Sequence, residues 1–285
     1  MHKEAAGSSR SLLDLCWGHV DAEGVLHRSI ALREMDGDDE DILADRTSSF
    51  LARLNLIFGN CMTNLGTMKD PSQIMAACSG LVGVDRILLM LRLREISLDP
   101  IYQMKAQCEH CGRIQRIAID LSKLEIKYPE KPEQRVRTFK TPSKKPVKWQ
   151  VMTGVEEEIS QQIRENEEEA EKATNVGLEK ARLSYMFWLR VHQIDKHKFD
   201  RGEGKVIQTD IDDIPIVNWA EIKLLKKLSY RDRVALRRHI EKTEAGPDME
   251  FDYRCNNPGC KKLNTNVEID IVQAEFFFPS EMSVS

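Results

Sequence analysis

Residues 101–121 read IYQMKAQCEHCGRIQRIAIDL, and residues 249–271 read MEFDYRCNNPGCKKLNTNVEIDI. Each stretch sets two cysteines between alternating segments. Before the first pair, Met104, Ala106 and Cys108 alternate with Lys105 and Gln107; after it, Ile117, Ile119 and Leu121 alternate with Ala118 and Asp120. Around the second pair, Met249, Phe251, Tyr253 and Cys255 alternate with Glu250, Asp252 and Arg254, and Val267, Ile269 and Ile271 alternate with Glu268 and Asp270. Period two marks half-buried strands, so each cysteine pair is expected at the tip of a β-hairpin. Gly112 and Pro258-Gly259 supply the residues that tight turns need. Two such turns present four thiolates to one tetrahedral ion, which makes Cys108, Cys111, Cys255 and Cys260 the expected zinc ligands. The alternative is two unrelated pairs of buried or free thiols. His110 sits inside its turn and is not expected to ligate.

The two halves of this ribbon are split by residues 112–254, far more than a zinc ribbon normally spans. Duplication explains the gap better than insertion. Asp85-Arg86 opens one apolar helix and Asp232-Arg233 another, and Cys108 follows the first at the same interval as Cys255 follows the second. An Asp at such a point is an N-cap or first-turn signal. The helices break at Asp99-Pro100 and at Gly246-Pro247-Asp248. Upstream, Met35-Asp36-Gly37 with its acidic follow-on DDED matches Met152-Thr153-Gly154 followed by VEEE. Carboxylates there suit a helix start. Three motifs in one order imply two degenerate copies, about 28–124 and 146–274, the second longer.

The expected fold class is therefore α+β: two degenerate repeats of helices plus a β-hairpin, the cysteine hairpins joined as a split zinc ribbon, with a helical insertion in the second repeat. The expected organisation is an N-terminal segment over 1–27, a first repeat over 28–124, a basic Pro-rich connector over 125–148 and a second repeat over 149–285. The connector's core, PEKPEQRVRTFKTPSKKPVK at 129–148, reads as exposed and extended. Residues 156–171 are Glu-rich with a thin apolar stripe and read as a solvated helix. Leu178, Ala181, Tyr185, Trp188 and Leu189 form a stripe that is core or docks another chain. Phe276-Phe277-Phe278-Pro279 either closes the core or anchors a partner.

Composition narrows the function. The chain has 285 residues, 41% hydrophobic, and a net charge of −4. That is enough apolar material for one large domain or two ordinary ones, and too acidic a balance for a dedicated duplex-DNA binder. Seven cysteines, an odd number, and a start without a long apolar core argue against a disulfide framework and against secretion. No apolar run is long enough to span a membrane. There is no GxxxxGK[ST], GxGxxG after a strand, GxSxG or HExxH, so no enzyme is expected. DGDDED at 36–41 lacks the spacing of a calcium loop and reads as a helix start.

The order of strand, Met-x-Gly with an acidic helix start, Asp-Arg helix, strand, Cys-x-x-Cys and strand resembles the T-even-type baseplate protein family of tailed bacteriophages, with its small hub and tail-assembly proteins. LREMDGDDEDILAD at 32–45 looks like its N-terminal signature. LSYRDRVALRRHI at 228–240, the following Gly246-Pro247-Asp248, the Cys255/Cys260 knuckle and the terminal Phe-Phe-Phe-Pro look like its C-terminal half. Four residues inside the second knuckle depart from the usual two. The resemblance implies a non-enzymatic, zinc-stapled structural or assembly protein of the virion tail baseplate, assembled in the host cytoplasm. Its partners would be other tail and baseplate proteins, engaged through the 156–194 helical region and Phe276–Phe278, with neither membrane nor nucleic acid expected. The rival readings are a zinc-ribbon nucleic-acid-binding accessory protein and a transient tail-assembly chaperone.

Overall fold

The structure is a computed structural model, which describes residues 11–45, 47–154, 156, 187–199, 206–208, 213–215, 219–271, 276 and 277. Strand β1 (Ser11–Val20) turns through Asp21 and Gly24 into β2 (Leu26–Leu32), and β2 also pairs with β3 (Met62–Leu65). The sheet is antiparallel in the order β1-β2-β3. Helix α1 (Gly37–Ala44) begins at Asp36, whose carboxylate accepts the Asp38 and Asp39 N–H groups while the Asp39 side chain accepts the Asp36 N–H. This capping box bears out the reading of DGDDED as a helix start. Helices α2 (Phe50–Cys61) and α3 (Pro71–Cys78) follow, the latter opened by Asp70 with proline at its start.

Asp85 lies in the first turn of α4 (Gly83–Ser97), but it does not cap that helix, whose N-cap is Val82. Its buried carboxylate turns to β1 and accepts the backbone N–H groups of Cys16, Trp17 and Gly18 at 2.6–3.2 Å. These donors sit in the irregular stretch of β1 between Asp14 and His19, where pairing with β2 lapses. A bulge leaves ladder groups unpaired, and a side chain must satisfy them. Gly18 adopts φ +68°, and a Cβ there would lie 2.2 Å from the His27 carbonyl oxygen. Gly18→Ala is therefore expected to cost more than the roughly 1–2 kcal/mol of a left-handed alanine alone. Thermal unfolding measures this; an unchanged midpoint would show that the bulge relaxes freely.

After α4 come the first cysteine hairpin, β4 (Ile101–Gln107) and β5 (Ile114–Asp120), and the short β6 (Ile126–Lys127). Residues 136–150 then depart from the expected connector. They form a hairpin, β7 (Val136–Lys140) and β8 (Pro146–Gln150), in a second antiparallel sheet completed by β9 (Val191–Ile194) and β10 (His197–Lys198). The prolines mislead because neither breaks a ladder: Pro142 lies in the turn, closed by Lys144 at φ +65°, and Pro146 is the first residue of its strand. Val147 and Trp149 are fully buried while Lys148 points outward. Residues 11–27 likewise belong to the first sheet rather than to a separate segment, with Leu15, Cys16 and Trp17 fully buried.

The expected 156–194 helical region ends in a strand, since β9 occupies 191–194. His192 in β9 and His197 in β10 flank a tight turn at Asp195. Residues 157–186, over which the acidic helix and most of the Leu178–Leu189 stripe are expected from the sequence, lie outside the described residues; Phe187, Trp188 and Leu189 are buried. Two short strands, β11 (Val206–Gln208) and β12 (Asp213–Pro215), precede α5 (Trp219–Lys226) and α6 (Tyr230–Glu244). Asp232, in the first turn of α6, again reaches away from its helix: it accepts the Ser143 N–H at 3.0 Å and the Ser143 hydroxyl at 2.6 Å in the β7–β8 turn. Then follow β13 (Gly246–Pro247), paired with β6, and the second cysteine hairpin, β14 (Glu250–Arg254) and β15 (Leu263–Glu268).

Burial divides these elements into two apolar clusters. One gathers Leu15, Trp17, Ile30, Phe58, Leu89 and Tyr102 from the first half together with Tyr253, Ile269 and Phe276 from the chain's far end. The other joins Val147, Trp149, Trp188, Ile222, Leu236 and Ile240. The second cysteine hairpin thus packs into the core of the first half. Phe276 and Phe277 are buried there, which decides for the core-closing alternative over the partner anchor. The Phe276 ring meets Tyr102 edge-on at 5.1 Å, and the Arg94 guanidinium lies over the Phe276 ring and donates to its carbonyl. Phe278 lies outside the described residues. No helix among the described residues is long and apolar enough to cross a membrane.

Candidate metal centre

Both knuckles are built by the same local rule. The Cys108 N–H donates to the Arg113 carbonyl at 2.9 Å, and the Cys255 N–H donates to the Lys262 carbonyl at 2.9 Å. In each case the acceptor lies two residues beyond the second cysteine of the pair. Each closure bends a strand end back on itself and leaves its two sulfurs on one side. Positive φ at Gly112 and at Lys261 completes the reversals. The longer second loop holds its extra residues with Asn257: its carbonyl accepts the Cys260 N–H at 2.9 Å, and its side-chain oxygen accepts the Gly259 N–H at 3.1 Å.

The fold brings the two tips together. The four sulfurs of Cys108, Cys111, Cys255 and Cys260 lie within 4.8 Å of one another. Cys108 and Cys260 are 3.9 Å apart, and Cys111 and Cys255 are 3.7 Å apart. Tetrahedral bonds of about 2.3 Å to zinc set sulfur–sulfur edges of about 3.8 Å, so the cluster has the size of a metal site made of four thiolates. All four expected ligand residues converge, and they are the only group of this kind among the described residues. The three other cysteines, Cys16, Cys61 and Cys78, are buried elsewhere, and burial pushes each thiol up to about 12. They are inert by comparison. His110 is not part of the cluster; its Nε2 lies 3.1 Å from the Leu263 carbonyl.

The sulfurs are not electrostatically equivalent. Burial raises the Cys108 thiol, but the N–H groups of His110 and Cys111 and the Asn264 amide outweigh it and bring it down to about 6. The Arg113 N–H, with help from the Asn257 amide, lowers Cys111. The Asn257 N–H lowers Cys255, but burial and the neighbouring sulfurs of Cys111 and Cys108 outweigh it and raise it to about 11. A cation bound here would expel the protons that the sulfurs retain.

Two residues of this site escaped the sequence reading. Gln115 and Asn264 are buried amides, 7% and 1% exposed, whose side chains reach the opposite knuckle. Each stands four residues beyond the second cysteine of its own pair. That interval is visible in the sequence, but nothing in composition or periodicity gives it meaning before the two hairpins are seen face to face.

Residues 68–165 match the family model of the T4 bacteriophage base plate protein. Over that stretch the chain is similar to the T4-type phage baseplate proteins. The family resemblance read from the motifs is borne out there. The matched segment takes in α3, α4, the first cysteine hairpin and β6 to β8, and so includes Cys108 and Cys111. It does not reach residues 32–45 or 228–279, where the resemblance stays an expectation. Searches of curated proteins and of solved structures each gave no significant match.

Proposed function

We propose that this chain is a structural, non-enzymatic protein of a phage tail baseplate, in which one zinc ion held by Cys108, Cys111, Cys255 and Cys260 staples two copies of one folding unit. The baseplate match carries the assignment to the tail. The single observation that carries the staple is the convergence of four sulfurs from hairpins far apart in the chain.

The order of elements supports duplication. Each half has an antiparallel sheet and, in chain order, a helix start after Met-x-Gly, an eight-residue helix, a fifteen-residue helix and a cysteine hairpin. The helix starts share their chemistry: the Asp36 N–H donates to the Asp39 carboxylate, and the Thr153 N–H donates to the Glu156 carboxylate at 2.8 Å. The long helices share theirs too, with Asp85 and Asp232 each bonding the backbone at the start of their own sheet. On this reading the first copy begins at β1 and the second at β7, earlier than the sequence motifs alone suggested.

A baseplate component acts by holding neighbouring subunits in fixed geometry, and a metal joining the two copies would make this chain one rigid body for that purpose. Proteomics of purified virions and of tail-assembly intermediates tests the assignment. The chain is expected in both; presence in intermediates with absence from virions would convert the reading to an assembly chaperone, and absence from both would overturn it.

A further inference from the structure

The two buried amides beside the cluster form a reciprocal pair. The Glu109 N–H, one residue past Cys108, donates to Asn264 Oδ1 at 3.0 Å. The Asn256 N–H, one residue past Cys255, donates to Gln115 Oε1 at 2.8 Å. The same backbone position of each knuckle is therefore held by the same position of the opposite hairpin. The remaining amide hydrogens also cross or close the tip: Gln115 Nε2 donates to the Arg254 carbonyl at 3.4 Å, and Asn264 Nδ2 lies 3.5 Å from both Cys108 Sγ and the Lys262 carbonyl. Asn257 Nδ2 adds a contact of 3.7 Å to Cys111 Sγ.

None of these bonds needs a metal. Four thiols gathered without an ion would be a poor contact, because sulfur bonds weakly to sulfur. Neutral amides buried in good geometry hold backbone groups firmly, since leaving either partner unpaired is costly. The chain thus carries a second joint between the hairpins, layered directly on the first.

We propose that Gln115 and Asn264 are positioning residues that keep the two knuckles docked before the ion arrives, so that the four sulfurs await it already assembled. The proposal deepens the zinc reading and rests on it for the identity of the ion. Groups that orient metal ligands from behind typically change affinity about 10–100-fold when removed.

The test has two arms. In the metal-free full chain, alkylation of the four cluster cysteines is followed by mass spectrometry. It is expected to run at least roughly tenfold faster in Gln115→Ala/Asn264→Ala than in the wild type. In the second arm, cobalt(II) is titrated as the probe, and its thiolate charge-transfer band reports occupancy; the double variant is expected to bind about 10–100-fold more weakly. Where the double variant does not fold, Gln115→Leu, which keeps the volume, carries both arms. Equal alkylation rates and equal cobalt affinity would overturn the clamp and leave the zinc reading intact. A wild-type chain that shows the alkylation difference but never develops the cobalt–thiolate band would keep the clamp and overturn the zinc reading.

Discussion

Replacing Cys255 with serine is expected to abolish stoichiometric zinc binding and to remove on the order of 10 kcal/mol of stabilisation from the folded chain. A structural ion contributes its binding free energy to folding because the unfolded chain offers no assembled site. Here the loss is magnified by topology, since Cys255 lies on a hairpin whose Tyr253 and Ile269 sit in the core of the other half. The second hairpin should loosen first, exposing Phe276 and the Tyr102 ring against which it packs. Elemental analysis of the purified protein gives the zinc content, and chelator-dependent thermal unfolding gives its energetic weight. Absence of zinc from the wild-type protein, or an unfolding midpoint unmoved by Cys255→Ser, would sink the staple.

Much of this site was legible in the sequence for a simple reason. Alternation around Cys108 and Cys255 follows from strand geometry, and thiolates spaced across a tight turn have few structural uses other than a metal. The conspicuous failures share a different cause. Pro142, Pro146 and the lysines of 129–148 suggested an exposed strap, yet Val147 and Trp149 hold the second core. Proline and charge at turns and strand starts are compatible with a sheet, and only the alternation of Val147, Lys148 and Trp149 recorded it. Phe276 and Phe277 illustrate the converse. An aromatic run near a terminus reads equally as core or anchor, and only the position of Arg94 and Tyr102 decides for the core. The amide pair of Gln115 and Asn264 was invisible because it exists only between hairpins.

Asp85→Ala is expected to destabilise the chain by about 3–6 kcal/mol, a large share of a typical domain's stability. The carboxylate accepts three N–H groups of the β1 bulge, and all of its partners are buried. Alanine would strand each of them, at about 1–3 kcal/mol per unsatisfied donor. Asparagine is expected to cost less, because its single oxygen still satisfies part of the set. Burial, only partly offset by the N–H groups of Trp17, Gly18 and Cys16, raises Asp85 to about 6. The folded chain therefore holds this proton at pH values where the unfolded chain has released it. Its contribution is fully present below about pH 4 and is lost as the pH rises through about 6. Urea unfolding at about pH 4.5 and about pH 7 should show wild type losing stability relative to Asp85→Asn over that interval, with both parallel above it. The opposite slope belongs to Asp232, where burial is outweighed by Ser143 and the pKa falls. Its partner Ser143 lies in a hairpin turn, and one of the two donors is a hydroxyl that can turn to water. Asp232→Ala is thus expected to cost less than Asp85→Ala, although each residue lies in the first turn of a fifteen-residue helix. Equal effects would mean that the bulge in β1 tolerates unpaired N–H groups as easily as a surface turn does, and the strand-capping role assigned to Asp85 would fall.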